Sequence, residues 1–163
     1  MKFYHIADEY IEFLKSYDSK VPENKNESRP YVGVVLEING IKYYAPFSSP
    51  KPKHCKMHNS KDFRKIANGL YGAINFNNMI PVVDEALKYI DISKIEDERY
   101  RNLLNHQYQA ILSDAKQIEK TAKKLHTLIF KNDTELSEFE KKLKLRCCDL
   151  RLLEQVYSEY TKR

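Results

Sequence analysis

Tryptophan is absent from the chain, and glycine occurs only four times in 163 residues, at positions 33, 40, 69 and 72. The four glycines assemble neither a phosphate loop nor a dinucleotide fingerprint, so no nucleotide cofactor is expected. Cysteine is scarce and odd in number: Cys55 stands alone and Cys147 adjoins Cys148. That arrangement suits free thiols in a reducing compartment better than a disulfide framework. No apolar run approaches the length of a membrane span, and the opening MKFYHIADEYIEFLK is too interrupted by charge to supply a signal peptide's apolar segment. A soluble, cytoplasmic protein without a membrane partner is expected. Metal ligands are thinly provided as well. His54, Cys55 and His58 lie close together, but no second ligand pair follows at zinc-like spacing, and adjacent Cys147 and Cys148 chelate one ion poorly, so no metal site is expected. The carboxylates fall mostly in helical i, i+4 arrangements with lysines, which are solvated faces rather than acid–base pairs.

Cations and tyrosines, by contrast, are plentiful. Lys and Arg number 28 against 23 acids, a net charge of +5, and there are 12 Tyr and 7 Phe. A modest basic excess permits a polyanionic partner, and flat amphipathic rings serve either a core or the stacking of bases. The length suits one compact unit with a real core.

The pattern along the chain is centred on a hairpin. Tyr31 to Ile38 and Ile41 to Phe47 are apolar runs joined by Asn39-Gly40, the pair best suited to the two positive φ angles of a type I′ turn. Pro46 is expected to stop the second strand, and three prolines to hold Ser48 to His54 extended. Before the hairpin come a short strand over Lys2–Ile6, an amphipathic helix carrying Tyr10, Ile11, Phe13, Leu14 and Tyr17, and a polar loop, Asp18 to Pro30. After it, residues 55–68 read as an exposed loop with one helical turn, residues 70–83 as two runs around an Asn77-Asn78 turn, and 87–90 as a short strand. About six short strands within about 90 residues favour a small antiparallel barrel. From Glu96 the texture changes: Leu104, Tyr108, Ile111, Ala115, Ile118, Ala122, Leu125 and Ile129 predict one helix of about 35 residues packed back on the barrel. A shorter helix on Leu136, Phe139, Leu143 and Leu145 and a last one capped by Asp149 complete the chain. The expected architecture is α+β and single-domain over 1–163, with a barrel core at roughly 1–92 and helices at roughly 96–162.

The densest chemistry lies in Ser48-Ser49-Pro50-Lys51. Hydroxyls at a strand end, with an ammonium two residues on and on the same side of an extended chain, can hold a phosphate and neutralise a pentacoordinate phosphorane. A proline-rich surface loop would carry the same residues, so the segment alone does not decide. Arg29, Lys53, Lys56, Lys61, Arg64 and Lys65 flank it or extend from it and are the candidate contacts to a polyanion's phosphates.

The stretches KFYHIADEYIEFLKSYDSKVP, YVGVVLEINGIKYYAPFSSPKPKH, GAINFNNMIPV and YRNLLNHQYQAI, in that order, resemble the toxins of type III toxin-antitoxin systems, the ToxN/AbiQ family. The most specific piece is APFSSPKPKH. The resemblance implies a compact, highly twisted β-barrel related to the MazF/Kid toxins, with helical additions. It implies a metal-independent, cofactor-free endoribonuclease acting on cellular or phage RNA, and an antitoxin that is a small structured RNA of tandem repeats, joined with the toxin in a hetero-oligomeric assembly. Carried over by position, the hydroxyl-hydroxyl-Pro-Lys motif falls on Ser48, Ser49, Pro50 and Lys51. The family's helix tyrosine falls on Tyr10, a cation before the hairpin on Arg29, and a closing histidine on His54. A further tyrosine that some members place in the first loop has no counterpart among residues 18–29. The expected chemistry makes the substrate's own 2′-OH the nucleophile. Lys51 stabilises the phosphorane, Ser49 and Ser48 orient the scissile phosphate, and Tyr10, Arg29 and His54 position or protonate. The alternative from another class is an RNA-binding module that holds RNA without cutting it.

Overall fold

The computed structural model describes residues 1–161, so the final position of the expected helical region, 162, lies outside the described residues. The chain is α+β, and its centre is the expected hairpin of β2 (Tyr31–Ile38) and β3 (Ile41–Ser48). Asn39 (φ 52°) and Gly40 (φ 79°) supply the two positive φ angles that the tight turn requires. The pairing runs from Ile38↔Ile41 to Leu36↔Tyr43, then shifts, and resumes at Gly33↔Tyr44. At that bulge the Tyr44 ring crosses Gly33 so closely that a Cβ there would lie 2.1 Å from a ring carbon. Only glycine lets the ring lie flat on the strand.

Pro46 does not end β3, contrary to the expectation. On its far side β3 pairs with β6 (Ile80–Pro81) through Tyr43 and Tyr44, and with β5 (Ala73–Asn75) through Phe47 and Ser48. Pro46 falls in the gap between those two pairings, where a missing N–H removes no ladder bond. β1 (Lys2–Ile6) pairs with β2 and with β7 (Leu87–Tyr89), and β4 (Phe63–Lys65) pairs with β5.

The strand order is β4-β5-β3-β2-β1-β7. The outer strands β4 and β7 do not pair with each other, so the sheet is open and the expected closed, MazF/Kid-like barrel is not formed. A barrel needs every strand tilted and staggered into a continuous ladder. Here the two edge strands are three residues each, and helices rather than strands cover the apolar face. β4 itself lies inside the segment expected to be a loop, its Arg64 and Lys65 outnumbering the single strong apolar Phe63.

The long helix is two. α3 (Glu98–Ser113) and α4 (Ala115–Phe130) meet at Asp114 (φ −105°, ψ 7°), whose carboxylate takes the Arg64 guanidinium in a bidentate pair, one bond 2.7 Å. The apolar seam nevertheless runs on across the break: Leu104, Ile111, Ile118, Ala122, Leu125 and Ile129 are all buried. α4 lays its share of the seam against β2. α5 (Glu138–Arg146) opens with a capping box between Ser137 and Glu140, and α6 (Leu150–Val156) with the Asp149 carboxylate accepting from the Leu152 N–H. Of the four apolar residues expected to carry this shorter helix, Leu136, which lies just before α5, and Leu143 are buried; Phe139 and Leu145 are exposed. At the other end of the chain, α1 (Asp8–Lys15) buries Tyr10, Ile11 and Leu14.

Candidate active site

The last residue of β3, Ser48, reaches the surface half-buried, and Ser49 follows it exposed. Both line a cleft of about 410 Å³ whose other wall includes Lys25, Ser28 and Arg29. The loop before β2 therefore faces the end of β3, which is what hairpin strands held side by side bring about: Tyr31 pairs with Pro46, and the Phe47 N–H donates to the Pro30 carbonyl at 3.2 Å.

Two glycines press against the segment that carries the serines. Gly72 (φ 98°) lies so close that a Cβ would come within 1.9 Å of the Ser48 carbonyl oxygen, and a Cβ on Gly69 (φ 91°) would come within 2.7 Å of the His54 backbone. Both φ values belong to the region L side chains avoid. The 66–72 loop is thus pressed flat against the 48–55 segment. From above, Gln107 of α3, itself buried, donates its amide N–H to the Tyr71 carbonyl at 2.9 Å and to the Ser48 carbonyl at 3.3 Å.

Beyond the serines the backbone is extended at Lys51 and then turns. Pro52 begins α2 (Pro52–Lys56), the N1 position at which proline costs no hydrogen bond. The segment is therefore not extended throughout, as its three prolines suggest; only its first half is. The Lys51 carbonyl accepts from the His54 N–H at 2.9 Å, and the Lys51 N–H donates to Nδ1 of the buried His54 ring at 3.1 Å. Accepting that bond fixes the neutral tautomer with its proton on Nε2. Burial, then the ammonium groups of Lys51 and Lys53, hold this imidazole below its usual pKa. His54 thus fixes the backbone of Lys51, whose ammonium is exposed.

The remaining expected residues divide. Arg29 lines the cleft, its Nε–H anchored on the Glu23 carbonyl at 2.6 Å. Lys53 and Lys56 are exposed on α2. Lys61 is paired with Glu140 at 3.3 Å and Arg64 with Asp114, so both are engaged within the protein. Lys65 lies on β4, its N–H held by the Asn59 side chain at 2.8 Å. Tyr10 is not part of the cleft. Its ring is fully buried and its hydroxyl donates to the Pro81 carbonyl at 2.5 Å, so the residue matched to the family's helix tyrosine is a core tie between α1 and β6.

Sequence reasoning missed five cleft residues: His5, Lys25, Ser28, Tyr100 and Gln107. Burial first, then Lys88, keeps the His5 imidazole below its usual pKa against the opposing pull of Glu27. Gln107 did leave a signal, since it falls on the apolar seam between Leu104 and Ile111, where a polar residue needs a partner. Lys25 and Ser28 left only their nearness to Arg29. Among the described residues, no three His, Cys, Asp or Glu side chains converge as a metal ion requires, and no helix is long and apolar enough to cross a membrane.

Residues 2–158 match the family described as toxin ToxN of the type III toxin-antitoxin system. The chain belongs to this family. The ToxN-family assignment is carried along its whole length: it is 37% identical to endoribonuclease ToxN of Bacillus thuringiensis subsp. kurstaki, covering 99% of this chain and 85% of that one. It is 31% identical to endoribonuclease ToxN of Pectobacterium atrosepticum, covering 99% and 95%. A solved structure, described as giving new insights into bacterial type III toxin-antitoxin systems through selective toxin inhibition by a non-coding RNA pseudoknot, superposes with a TM-score of 0.86. Its identity is 36%, and 99% of this chain and 98% of that one are covered.

Proposed function

We propose that this ToxN-family chain is the toxin of a type III toxin-antitoxin pair and a sequence-selective endoribonuclease that needs neither metal nor cofactor. The observation that carries the reading is the convergence of two hydroxyls, Ser48 and Ser49, with Arg29 and Lys25 in one cleft, followed two residues on by the exposed Lys51, which lies outside the cleft lining. Two close relatives bear the name endoribonuclease.

The 2′-OH of the scissile nucleotide attacks the adjacent phosphorus while the P–O5′ bond breaks. The 2′ proton leaves to a base, the departing 5′ oxygen gains a proton, and no water is consumed. The products are a 2′,3′-cyclic phosphate and a 5′-OH. Ser48 and Ser49 orient the phosphate, and the Lys51 ammonium meets the charge that builds on the phosphorane's equatorial oxygens. Arg29 opposes it from the far wall. His54 acts through Lys51, as a positioning residue.

The partner is a small structured antitoxin RNA of tandem repeats, which the enzyme processes and which assembles with it into a hetero-oligomer. Because a self-processed RNA leaves its cyclic phosphate in the site, inhibition and catalysis share Ser49 and Lys51. That a non-coding RNA pseudoknot selectively inhibits the toxin of the solved relative supports an RNA as the inhibiting partner.

The test is incubation of purified protein with cellular RNA in EDTA. Discrete fragments with cyclic phosphate ends, absent with Lys51→Ala, are expected. Intact RNA retained on the protein would overturn the catalytic reading in favour of a binding module.

A further inference from the structure

Immediately beside the two serines lies an aromatic pair that the proposed mechanism does not use. The rings of Tyr71 and His106 are stacked, with centroids 5.0 Å apart and planes 8° from parallel. Tyr71 is half-buried and His106 is exposed. Next to Tyr71 in the chain, Leu70 is 60% exposed, an apolar side chain facing solvent.

The position of this pair is fixed with the same devices that fix Ser48. The Tyr71 and Ser48 carbonyls share a single donor, the Gln107 amide, and His106 is Gln107's neighbour on α3. Gly72, next to Tyr71, touches the Ser48 carbonyl. The platform and the scissile-phosphate seat are therefore tied together through one amide and one glycine. A flat π-face so coupled to a phosphate site is what a nucleobase stacks on.

We infer that the Tyr71–His106 stack is a base platform that holds the nucleobase next to the scissile phosphate and so helps to set where the RNA is cut. The inference rests on the proposed endonuclease reading for its consequence at cleavage, but not for the stacking itself. A base laid on His106 extends the stack to three rings with the His in the middle. It takes any base by its face, and the Leu70 edge excludes water from one flank. Preference between bases then follows from stacking strength, larger for purines.

The experiment uses two readouts on the full chain. The first is binding of a single-stranded oligo(2′-O-methyladenylate) carrying 2-aminopurine, which cannot be cut because its 2′ oxygens are blocked. Wild type should quench the fluorophore, and His106→Ala and Tyr71→Ala should each abolish the quench and weaken binding about 5- to 150-fold, the value of one stacked base. Tyr71→Phe, which keeps the ring, should behave as wild type. The second readout maps cleavage ends in cellular RNA: the Ala variants should raise KM more than they lower kcat and should relax the base preference at one position. Equal quenching and affinity in wild type and His106→Ala, with both proteins folded by thermal melting, would overturn the platform. Quenching by wild type with no cleavage would overturn the nuclease reading and leave the platform standing. Loss of thermal stability without loss of quench in Tyr71→Ala would show that the pair only braces α3, and would also overturn the inference.

Discussion

Ser49 and Lys51 project from the protein surface, so removing either side chain disturbs little packing. Ser49→Ala and Lys51→Ala should each leave stability within about 0.5 kcal/mol of wild type. Each should lower RNA cleavage by about 10²- to 10³-fold, the usual cost of losing one preorganised contact to developing charge. Melting curves and single-turnover cleavage measure the two effects separately. Gly72 is the opposite case. Gly72→Ala places a Cβ against the Ser48 carbonyl at a φ of 98°; it should cost about 1–3 kcal/mol or more and misplace the serines, so that folded protein also cuts poorly. His54 adds a pH dependence of definite sign. Its folded pKa is depressed, so the unfolded chain binds the proton more readily. The stability it contributes is complete above the ordinary histidine value near 6.5 and is lost as pH falls from there toward the folded value. Protonating Nδ1 also breaks the bond from the Lys51 N–H. On acidification the melting temperature should therefore begin to drop near pH 6.5, and the activity of the folded protein should fall at lower pH, as the depressed folded value is approached; His54→Asn should flatten both.

At the scale of elements, the hairpin and its extension control the site, and they were the most readable part of the chain. Asn39-Gly40 specifies its turn locally, so no tertiary information is needed to see it. Ser48, Ser49 and Lys51 could be singled out for the same reason, being contiguous. What could not be read is what tertiary contacts decide. Pro46 continues a strand because the neighbouring strands happen to leave a gap there. Asp114 divides α3 from α4 because Arg64, fifty residues earlier, reaches its carboxylate. Tyr10 has the composition of a site residue and the position of a core one, and only its burial against Pro81 tells the two apart. Gln107 links these elements to the site, so its replacement is the sharpest test at this scale. Gln107→Leu removes the donor shared by the Ser48 and Tyr71 carbonyls. It should cost about 1 kcal/mol in stability, the price of losing hydrogen bonds to part-buried acceptors, and lower cleavage in protein that remains folded. Unchanged cleavage in a folded Gln107→Leu protein would detach α3 from the site.

For the molecule as a whole, the net charge of +5 matters only through the cations free to meet phosphates. Lys25, Arg29, Lys51, Lys53, Lys56 and Lys65 qualify; Lys61 and Arg64 are held by Glu140 and Asp114. Six contacts at about −0.7 each give a slope of about −4 for log affinity against log salt with single-stranded RNA. Lys53→Ala should make that slope shallower by about one contact and weaken all sequences alike, whereas Lys61→Ala should leave it nearly unchanged. A flat response in wild type would remove the electrostatic half of the account. The other half is the identity of the nucleophile, and one substitution in the substrate reaches it directly. Once a cut site has been mapped, an RNA differing from the natural sequence only by a 2′-deoxy sugar at the scissile nucleotide should bind as tightly as the parent and resist cleavage entirely at that bond, in EDTA and with wild-type protein. Cleavage of the deoxy substrate at the same bond would show that water or a protein side chain attacks phosphorus, and would contradict the mechanism assigned to this site.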